Sequence, residues 1–244
     1  MKTQRLALLG ISLSLVLAVL FLGGQAAPRQ APSDPKAEVA DPDPTRFAKA
    51  IDEFERWDAK NAWPEKPVLF VGSSSIRMWK TREAFPRLAV VNRGFGGSHI
   101  SDVNHYFDQV VKPYHARVIL LYAGDNDVAD NKGAEQVLED YREFVRKVRE
   151  LDADTPVIYI PIKPSLARWN LWPTMREANE LIRKMSEADE KLYFVDVATP
   201  LLGADGKPRK ELLLDDGLHL NEAGYKMWTE IVGPVIEKAM KNSE

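Results

Sequence analysis

Val68-Leu69-Phe70-Val71 is an unbroken apolar run, and Gly72-Ser73-Ser74-Ser75 follows it directly. Four further runs share this nearly continuous apolar character, and they occupy residues 89–91, 118–122, 157–160 and 192–197. A strand without polar alternation is buried on both faces, as in a parallel sheet. The sequence therefore predicts five parallel strands.

The segments between these runs have the periodicity of amphipathic helices. In the clearest segment, apolar residues recur every three or four positions and charged residues fill the other face: Ala134, Val137, Tyr141, Phe144, Val148 and Leu151. A first helix follows the same rule at Phe47, Ile51, Phe54 and Trp57, and Asn221 is a suitable N-cap for the last helix. Alternating strands and helices predict an α/β fold, a three-layer α/β/α sandwich whose ligands bind beyond the carboxyl ends of the strands.

The N-terminus has the layout of an export signal. Residues 1–27 combine Lys2 and Arg5 with an apolar run at 6–22 and small residues before Pro28. The run also suits an uncleaved signal anchor. Residues 28–44 contain five prolines and predict a disordered linker, which leaves 45–244 as the folded domain. Both interpretations predict an exported protein, periplasmic or extracellular, with membrane contact only through its N-terminal segment.

Composition excludes several classes of function. The chain has 244 residues, with 33 basic and 36 acidic side chains and a net charge of −3, so a basic surface for nucleic acid is not expected. The absence of cysteine excludes disulfides, thiolate zinc sites, iron–sulfur clusters and a cysteine nucleophile. Histidine, aspartate and glutamate show no spacing typical of metal ligands. We therefore expect neither a metal nor a cofactor.

Polar residues that suit hydrolysis follow the predicted strands. The first strand is followed by Gly72–Ser75, the second by residues 92–98, the third by residues 124–127, and the fifth by residues 215–219. Together they supply a hydroxyl group, flexible backbone donors, a side-chain amide, and an imidazole near a carboxylate. Each segment alone also fits an ordinary structural role, namely a helix N-cap, a flexible loop or a turn.

The chemical roles follow from residue type and spacing. A serine on a tight turn between strand and helix needs a base to remove its proton, and histidine is the usual base. Asp216 lies three residues before His219, so it can hold one ring nitrogen while the other faces the serine. The backbone N–H of Gly97 and the amide of Asn126 could donate hydrogen bonds to an oxyanion.

These segments resemble the sequence blocks of the SGNH (GDSL-type) hydrolase family, from about Val68 to the C-terminus. Gly124-Asp125-Asn126-Asp127 is similar to the Gly-x-Asn-Asp block, and Asp216 to His219 to the Asp-x-x-His block. The resemblance implies a flavodoxin-like sandwich, Ser74 as nucleophile with Asp216 and His219, and an oxyanion hole of Ser74, Gly97 and Asn126. Ser73 and Ser75 replace the usual Asp and Leu of the first block, so either could be the reactive serine, and Ser75 could instead cap the helix.

The resemblance is greatest to the acetylhydrolase-like branch of the family. It implies an exported serine esterase that acts on short acyl or acetyl esters, with a small-molecule or glycan ester as its substrate partner. The alternatives are a lysophospholipase or thioesterase, and a non-catalytic glycan-binding domain on the same fold. His99, Arg168 and Trp169 are candidate substrate contacts, although Arg168 and Trp169 could equally pack at the start of a helix.

Overall fold

The computed structural model describes residues 38–242, and these contain a five-stranded parallel sheet in the order β2-β1-β3-β4-β5. In the register of the central strand, Gly72 lies opposite Gly94 of β2 and Tyr122 of β3. The strand order reverses at β1, because β2 is added on one side of it and β3, β4 and β5 on the other. The crevice between the ends of β1 and β3 is therefore the place where such folds bind ligands. The predicted sandwich is confirmed. The strands are β1 (Val68–Gly72), β2 (Val90–Gly94), β3 (Val118–Tyr122), β4 (Val157–Tyr159) and β5 (Leu192–Phe194).

The helices over residues 38–242 cover both faces of the sheet. The predicted bounds of α7 are confirmed, and so is the N-cap Asn221, whose Oδ1 accepts a 3.0 Å hydrogen bond from the N–H of Gly224. None of the helices in the described range is long and apolar enough to cross a membrane. The helices are α1 (Ala48–Asp58), α2 (Ser74–Arg77), α3 (Thr81–Ala84), α4 (Ile100–His105), α5 (Phe107–Val110), α6 (Asp125–Ala129), α7 (Ala134–Leu151), α8 (Trp172–Glu187) and α9 (Glu222–Lys241).

Alternate residues of the strands build two separate cores. On β1, Leu69 and Val71 join a cluster that includes Phe144 of α7, whereas Val68 and Phe70 join a second cluster around Trp228 of α9. Because successive strand residues point to opposite faces, an apolar strand of this kind needs helices on both sides. The continuous apolar runs of the sequence are explained by this double burial.

Four of the five strands differ from the prediction at one or both ends, and the differences are largest in β2 and β5. β2 continues through Gly94, so Asn92 and Arg93, which we expected in the following loop, belong to the strand. The Arg93 side chain is buried and its guanidinium contacts Asp58 and Tyr114, which removes the cost of burying its charge. β5 is shorter than its apolar run, because Asp196 accepts backbone N–H bonds from the two residues at 198 and 199 and turns the chain.

The N-terminal boundary of the domain also differs from the prediction of a disordered linker over residues 28–44. Val39 exchanges two hydrogen bonds with the Gln136 side chain, and the Asp41 carboxylate lies 2.5 Å from Lys132 Nζ and 2.7 Å from Ser101 Oγ. The part of this segment that the structure describes is therefore ordered against the domain, which begins before residue 45. The predicted signal or anchor at residues 1–27 and the rest of the linker lie outside the described residues.

The turn at Gly72 allows a direct test of the fold. Its φ is +126°, and a Cβ placed there would lie 1.9 Å from the carbonyl oxygen of Tyr122. We expect Gly72→Ala to lower the free energy of unfolding by at least about 2 kcal/mol, because strained φ and the clash with β3 add. Gly133→Ala, where no atom lies within 4 Å of the new Cβ, should cost less than about 1 kcal/mol. Urea denaturation measures both, and equal losses would contradict this account.

Candidate active site

Ser74 stands at the tight turn between β1 and α2. The absence of a side chain at Gly72 lets β1 approach β3 closely, and the next residue, Ser73, donates its N–H to the Tyr122 carbonyl at 2.9 Å. Ser73 is the N-cap of α2 and Ser74 is the first residue of the helix. The turn therefore brings the Ser74 hydroxyl to the carboxyl edge of the sheet.

The three adjacent serines have different surroundings. Ser73 and Ser75 are fully buried, whereas Ser74 is half-buried and its Oγ lies 3.0 Å from His219 Nε2. Ser75 is not the helix N-cap, contrary to the alternative that the sequence left open. Of the three hydroxyl groups, the one on Ser74 is thus the one that lies beside an imidazole.

The opposite nitrogen of the same imidazole is bound to a carboxylate. His219 Nδ1 lies 2.6 Å from Asp216 Oδ2, while Asp216 Oδ1 accepts the N–H groups of Leu218 at 2.8 Å and His219 at 2.9 Å. These hydrogen bonds to His219 and to the backbone lower the pKa of Asp216 to about 2. The carboxylate is therefore ionised and oriented although its side chain is 46% exposed.

Two further predicted residues lie on the neighbouring loops. Gly97 is exposed on the loop between β2 and α4, with a φ of +88°, and its N–H has no acceptor among residues 38–242. Asn126 lies in α6 and donates one Nδ2 hydrogen to the carbonyl oxygen of Ser98 at 3.1 Å. This bond joins the two loops. The Asn126 amide does not bond its own backbone, so the alternative of a simple turn residue does not describe it.

A charged cluster that the sequence analysis did not identify lies behind Asn126. Arg168 Nη2 donates to Asn126 Oδ1 at 3.0 Å, and Arg168 Nη1 lies 3.3 Å from Asp125 Oδ2. The same Asp125 oxygen is 3.7 Å from the ammonium nitrogen of buried Lys163, whose pKa is lowered by burial. The Arg168 side chain is thus bound within the protein, by partners that neither the predicted substrate contact nor the alternative of packing at the start of a helix included.

The loop before α8 is attached to the histidine loop. The N–H of Ala167 donates to the carbonyl oxygen of Gly217 at 3.0 Å. Trp169 is half-buried and stacks on Trp172 with ring centroids 6.2 Å apart and an angle of 15° between the rings. Trp172 packs against the core, so Trp169 is the outer ring of the pair and remains available as a substrate contact.

His99 has a structural position that differs from its predicted role. Its side chain is 1% exposed and its Nε2 lies 2.8 Å from Asp130 Oδ2, while its backbone N–H is bound by Asp102. A buried ring with a carboxylate partner is not open to a substrate. The adjacent Gly97 made His99 a candidate in the sequence, but proximity along the chain does not determine the direction of a side chain.

A second missed residue, Asp127, supports the same loop. It is buried, and its Oδ1 accepts the N–H of Ile100 at 3.1 Å and lies 3.4 Å from Lys132 Nζ. Burial raises the pKa of Asp127 to about 6. Its position directly after a buried strand was the available sequence signal. Within residues 38–242, no group of three or more acidic or histidine side chains is arranged to hold a metal ion.

Comparison with solved structures shows the same architecture. A GDSL-like lipase from Bacteroides thetaiotaomicron is similar at a TM-score of 0.66 and 21% identity, with 78% of this chain and 98% of that chain covered. A carbohydrate esterase family 3 protein from Talaromyces cellulolyticus is similar at a TM-score of 0.59 and 18% identity, with 73% and 99% covered. A mutant of an acetyl-xylooligosaccharide esterase from Geobacillus is similar at 0.57 and 17%, with 70% and 94% covered.

Sequence comparison identifies the family. No curated protein matches the chain significantly. The profile of the GDSL-like lipase/acylhydrolase family matches residues 71–227, a segment that begins at the end of β1 and includes Ser74, the loops around Gly97 and Asn126, and the histidine loop. The chain therefore belongs to the GDSL-like lipase/acylhydrolase family of ester-hydrolysing enzymes.

Proposed function

We propose that this protein is a serine esterase that removes short acyl groups, above all acetyl groups, from carbohydrate esters. The observation that carries the proposal is the continuous chain of contacts from Asp216 through His219 to Ser74, with heavy-atom distances of 2.6 and 3.0 Å. A hydroxyl, an imidazole and a carboxylate joined in this order form a catalytic triad.

In the proposed reaction, His219 Nε2 takes the proton of Ser74 as Oγ attacks the ester carbonyl carbon. When the tetrahedral intermediate collapses, the bond between the carbonyl carbon and the alcohol oxygen breaks, and His219 returns the proton to the leaving alcohol. Water then attacks the acyl-enzyme with His219 again as the base. This step releases the carboxylic acid and restores the Ser74 hydroxyl.

The negative oxygen of the intermediate needs donors that are already in place. The proposed donors are the N–H groups of Ser74 and Gly97 and the second Nδ2 hydrogen of Asn126, whose first hydrogen is bound to Ser98. Neither of the two backbone N–H groups has an acceptor within residues 38–242. Donors fixed before the reaction begins stabilise the developing charge without further reorganisation.

The preference for small acyl groups on large alcohols rests on the openness of the site. His219 is 23% exposed, and the nearby loops present Leu214 and Leu166 to solvent at 39% and 42%. Two of the similar structures are described as a carbohydrate esterase and an acetyl-xylooligosaccharide esterase, which supports a sugar ester as substrate. Trp169 offers an aromatic face of the kind on which a sugar ring can stack.

Hydrolysis of p-nitrophenyl esters with acyl chains of two to twelve carbons tests the function. We expect the highest kcat/KM with acetate, and a loss of about 10⁴-fold or more in Ser74→Ala because the nucleophile is absent. The matched controls, Ser73→Ala and Ser75→Ala, should stay active. A maximum with long chains would favour a lysophospholipase.

Two results would contradict the role proposed for Ser74 in ester hydrolysis. If a folded protein hydrolysed no ester or thioester and Ser74 did not react with a fluorophosphonate, the chain would be a glycan-binding domain without catalysis. If activity were lost in a neighbouring serine variant instead, the nucleophile would be wrongly assigned.

The pH dependence of kcat/KM tests the proposed base. Because the pKa of Asp216 is about 2, this carboxylate stays ionised above about pH 4, so its titration should not contribute to a loss of activity above that pH. A single general base then accounts for the whole loss. The acid limb of log kcat/KM should therefore have a slope of one. The exposed His105→Ala control should leave the profile unchanged. A slope of two, or a flat profile between pH 5 and 8, would contradict a single histidine base.

We also propose that the enzyme works outside the cytoplasm, on the basis of the basic, apolar and small-residue order of residues 1–27. Expression of the full chain in a Gram-negative host, followed by fractionation and intact-mass measurement, tests this proposal. A periplasmic product that has lost about the first 27 residues would identify a cleaved signal, and a full-length product in the membrane fraction an anchor. A full-length product in the cytoplasm would contradict export.

A further inference from the structure

We infer that Arg168 is a positioning residue that fixes the orientation of the Asn126 amide and so makes it a donor to the oxyanion. The inference rests on the proposed function for its catalytic consequence. Its structural basis is the 3.0 Å hydrogen bond from Arg168 Nη2 to Asn126 Oδ1. Arg168 lies in the loop between β4 and α8, whereas Asn126 lies in α6, the helix that follows β3.

An asparagine amide has two orientations that differ by a half turn and exchange its oxygen with its nitrogen. Only the nitrogen can donate to an oxyanion, so the wrong orientation would place a partial negative charge beside it. Ser98 offers a carbonyl oxygen and therefore requires Nδ2, whereas Arg168 offers N–H groups and therefore requires Oδ1. The hydrogen bonds with Ser98 and Arg168 therefore favour the same orientation of the Asn126 amide.

The guanidinium group is itself held in place. Its Nη1 lies 3.3 Å from Asp125 Oδ2, and the Asp125 side chain is only 4% exposed. A planar guanidinium can address a carboxylate and an amide oxygen at the same time, which the single nitrogen of lysine cannot do with the same geometry. The positive charge also polarises the amide that it binds, and this strengthens the remaining N–H as a donor.

The same loop is connected to the proposed base. Ala167, the residue before Arg168, donates its N–H to the carbonyl of Gly217 in the loop that carries His219. The loop therefore contacts both the amide donor and the histidine loop.

Steady-state kinetics with a double-mutant cycle tests the inference. Asn126→Ala should lower kcat by on the order of 10²–10³. Arg168→Ala should lower kcat by about tenfold with little change in KM, because it weakens a donor that acts in the transition state. In the Asn126→Ala background, the same change should have almost no effect. Arg168→Lys should be intermediate, and the exposed Arg176→Ala should match wild type.

Two kinetic outcomes would overturn the inference. A higher KM with unchanged kcat in Arg168→Ala would make Arg168 a substrate contact. A tenfold loss that persisted without Asn126 would show that Arg168 acts on some other group. Thermal unfolding of each variant, with Arg168→Lys as the less disruptive change, separates these results from a general loss of structure.

The side-chain NH₂ signals of Asn126 in a ¹⁵N–¹H spectrum give a measurement that does not require activity. They are identified by their absence in Asn126→Ala. We expect them to move toward unstructured amide positions in Arg168→Ala and to stay unchanged in Arg176→Ala. Unchanged signals in Arg168→Ala would refute the positioning role whatever the enzyme hydrolyses. If the signals moved but Ser74→Ala kept full activity, the proposed mechanism would fail and the positioning role would stand.

Discussion

The contact between the end of β1 and its two neighbouring strands determines where three of the segments that form the site begin. Ser73 donates its N–H to the Tyr122 carbonyl at 2.9 Å, and the Gly72 carbonyl accepts the N–H of Phe95 at the same distance. The first bond fixes β1 against β3, and the second fixes it against the loop that follows β2. The serine turn, the Gly97 loop and the Asn126 loop therefore begin from one point, and this is possible only because residue 72 has no side chain.

Buried carboxylates bind the backbone at the end of the Gly97 loop, where α4 begins. The carboxylates of Asp102 and Asp127 accept the N–H groups of His99 and Ile100 at the start of α4. Buried carboxylates need partners, because desolvation otherwise exceeds the gain from their hydrogen bonds. Arg46 lies 2.5 Å from Asp102. The Lys132 ammonium nitrogen lies 3.4 Å from the Asp127 carboxylate.

The partners of these carboxylates explain why the segment before α1 belongs to the domain. Arg46 comes from that segment, and Asp41 of the same segment lies 2.5 Å from Lys132. Phe47 adds an edge-to-face contact with Phe95, at a centroid distance of 5.1 Å. The segment lies outside residues 71–227, which match the family, so residues outside the matched range support a loop that lies within it.

The sequence was sufficient for the sheet and for the residues that meet at its edge, because both depend on local patterns. A strand that is buried on both faces has a continuous apolar run. The residue types that follow each strand indicate which chemistry is possible there. The direction in which a side chain points depends on contacts with residues that are distant in the sequence. Burial separates Ser74 from Ser73 and Ser75, and the His99 ring is buried with its Nε2 beside a carboxylate at residue 130.

The sequence also could not show which charged side chains are paired with residues distant in the chain. In the sequence, Arg168 is a candidate substrate contact, and Asp41 belongs to the predicted proline-rich linker. Each has a partner that is distant in the chain, namely Asn126 for Arg168 and Lys132 for Asp41. A pattern of residues gives no distance between such pairs. Only the fold shows that their charges are compensated.

The exposure of the site places a physical limit on how it can recognise a substrate. The His219 imidazole is 23% exposed and the Asp216 carboxylate 46% exposed, which leaves little protein surface to enclose the alcohol part of an ester. For the proposed substrates, binding energy would then come mainly from contacts away from the reacting carbon. The loop of Ala167 and Trp169 is the part of the rim that combines an aromatic face with a hydrogen bond to the histidine loop. Since that loop also carries Arg168, a change in it that alters substrate binding would also disturb the Asn126 amide, and specificity and turnover in this enzyme would change together.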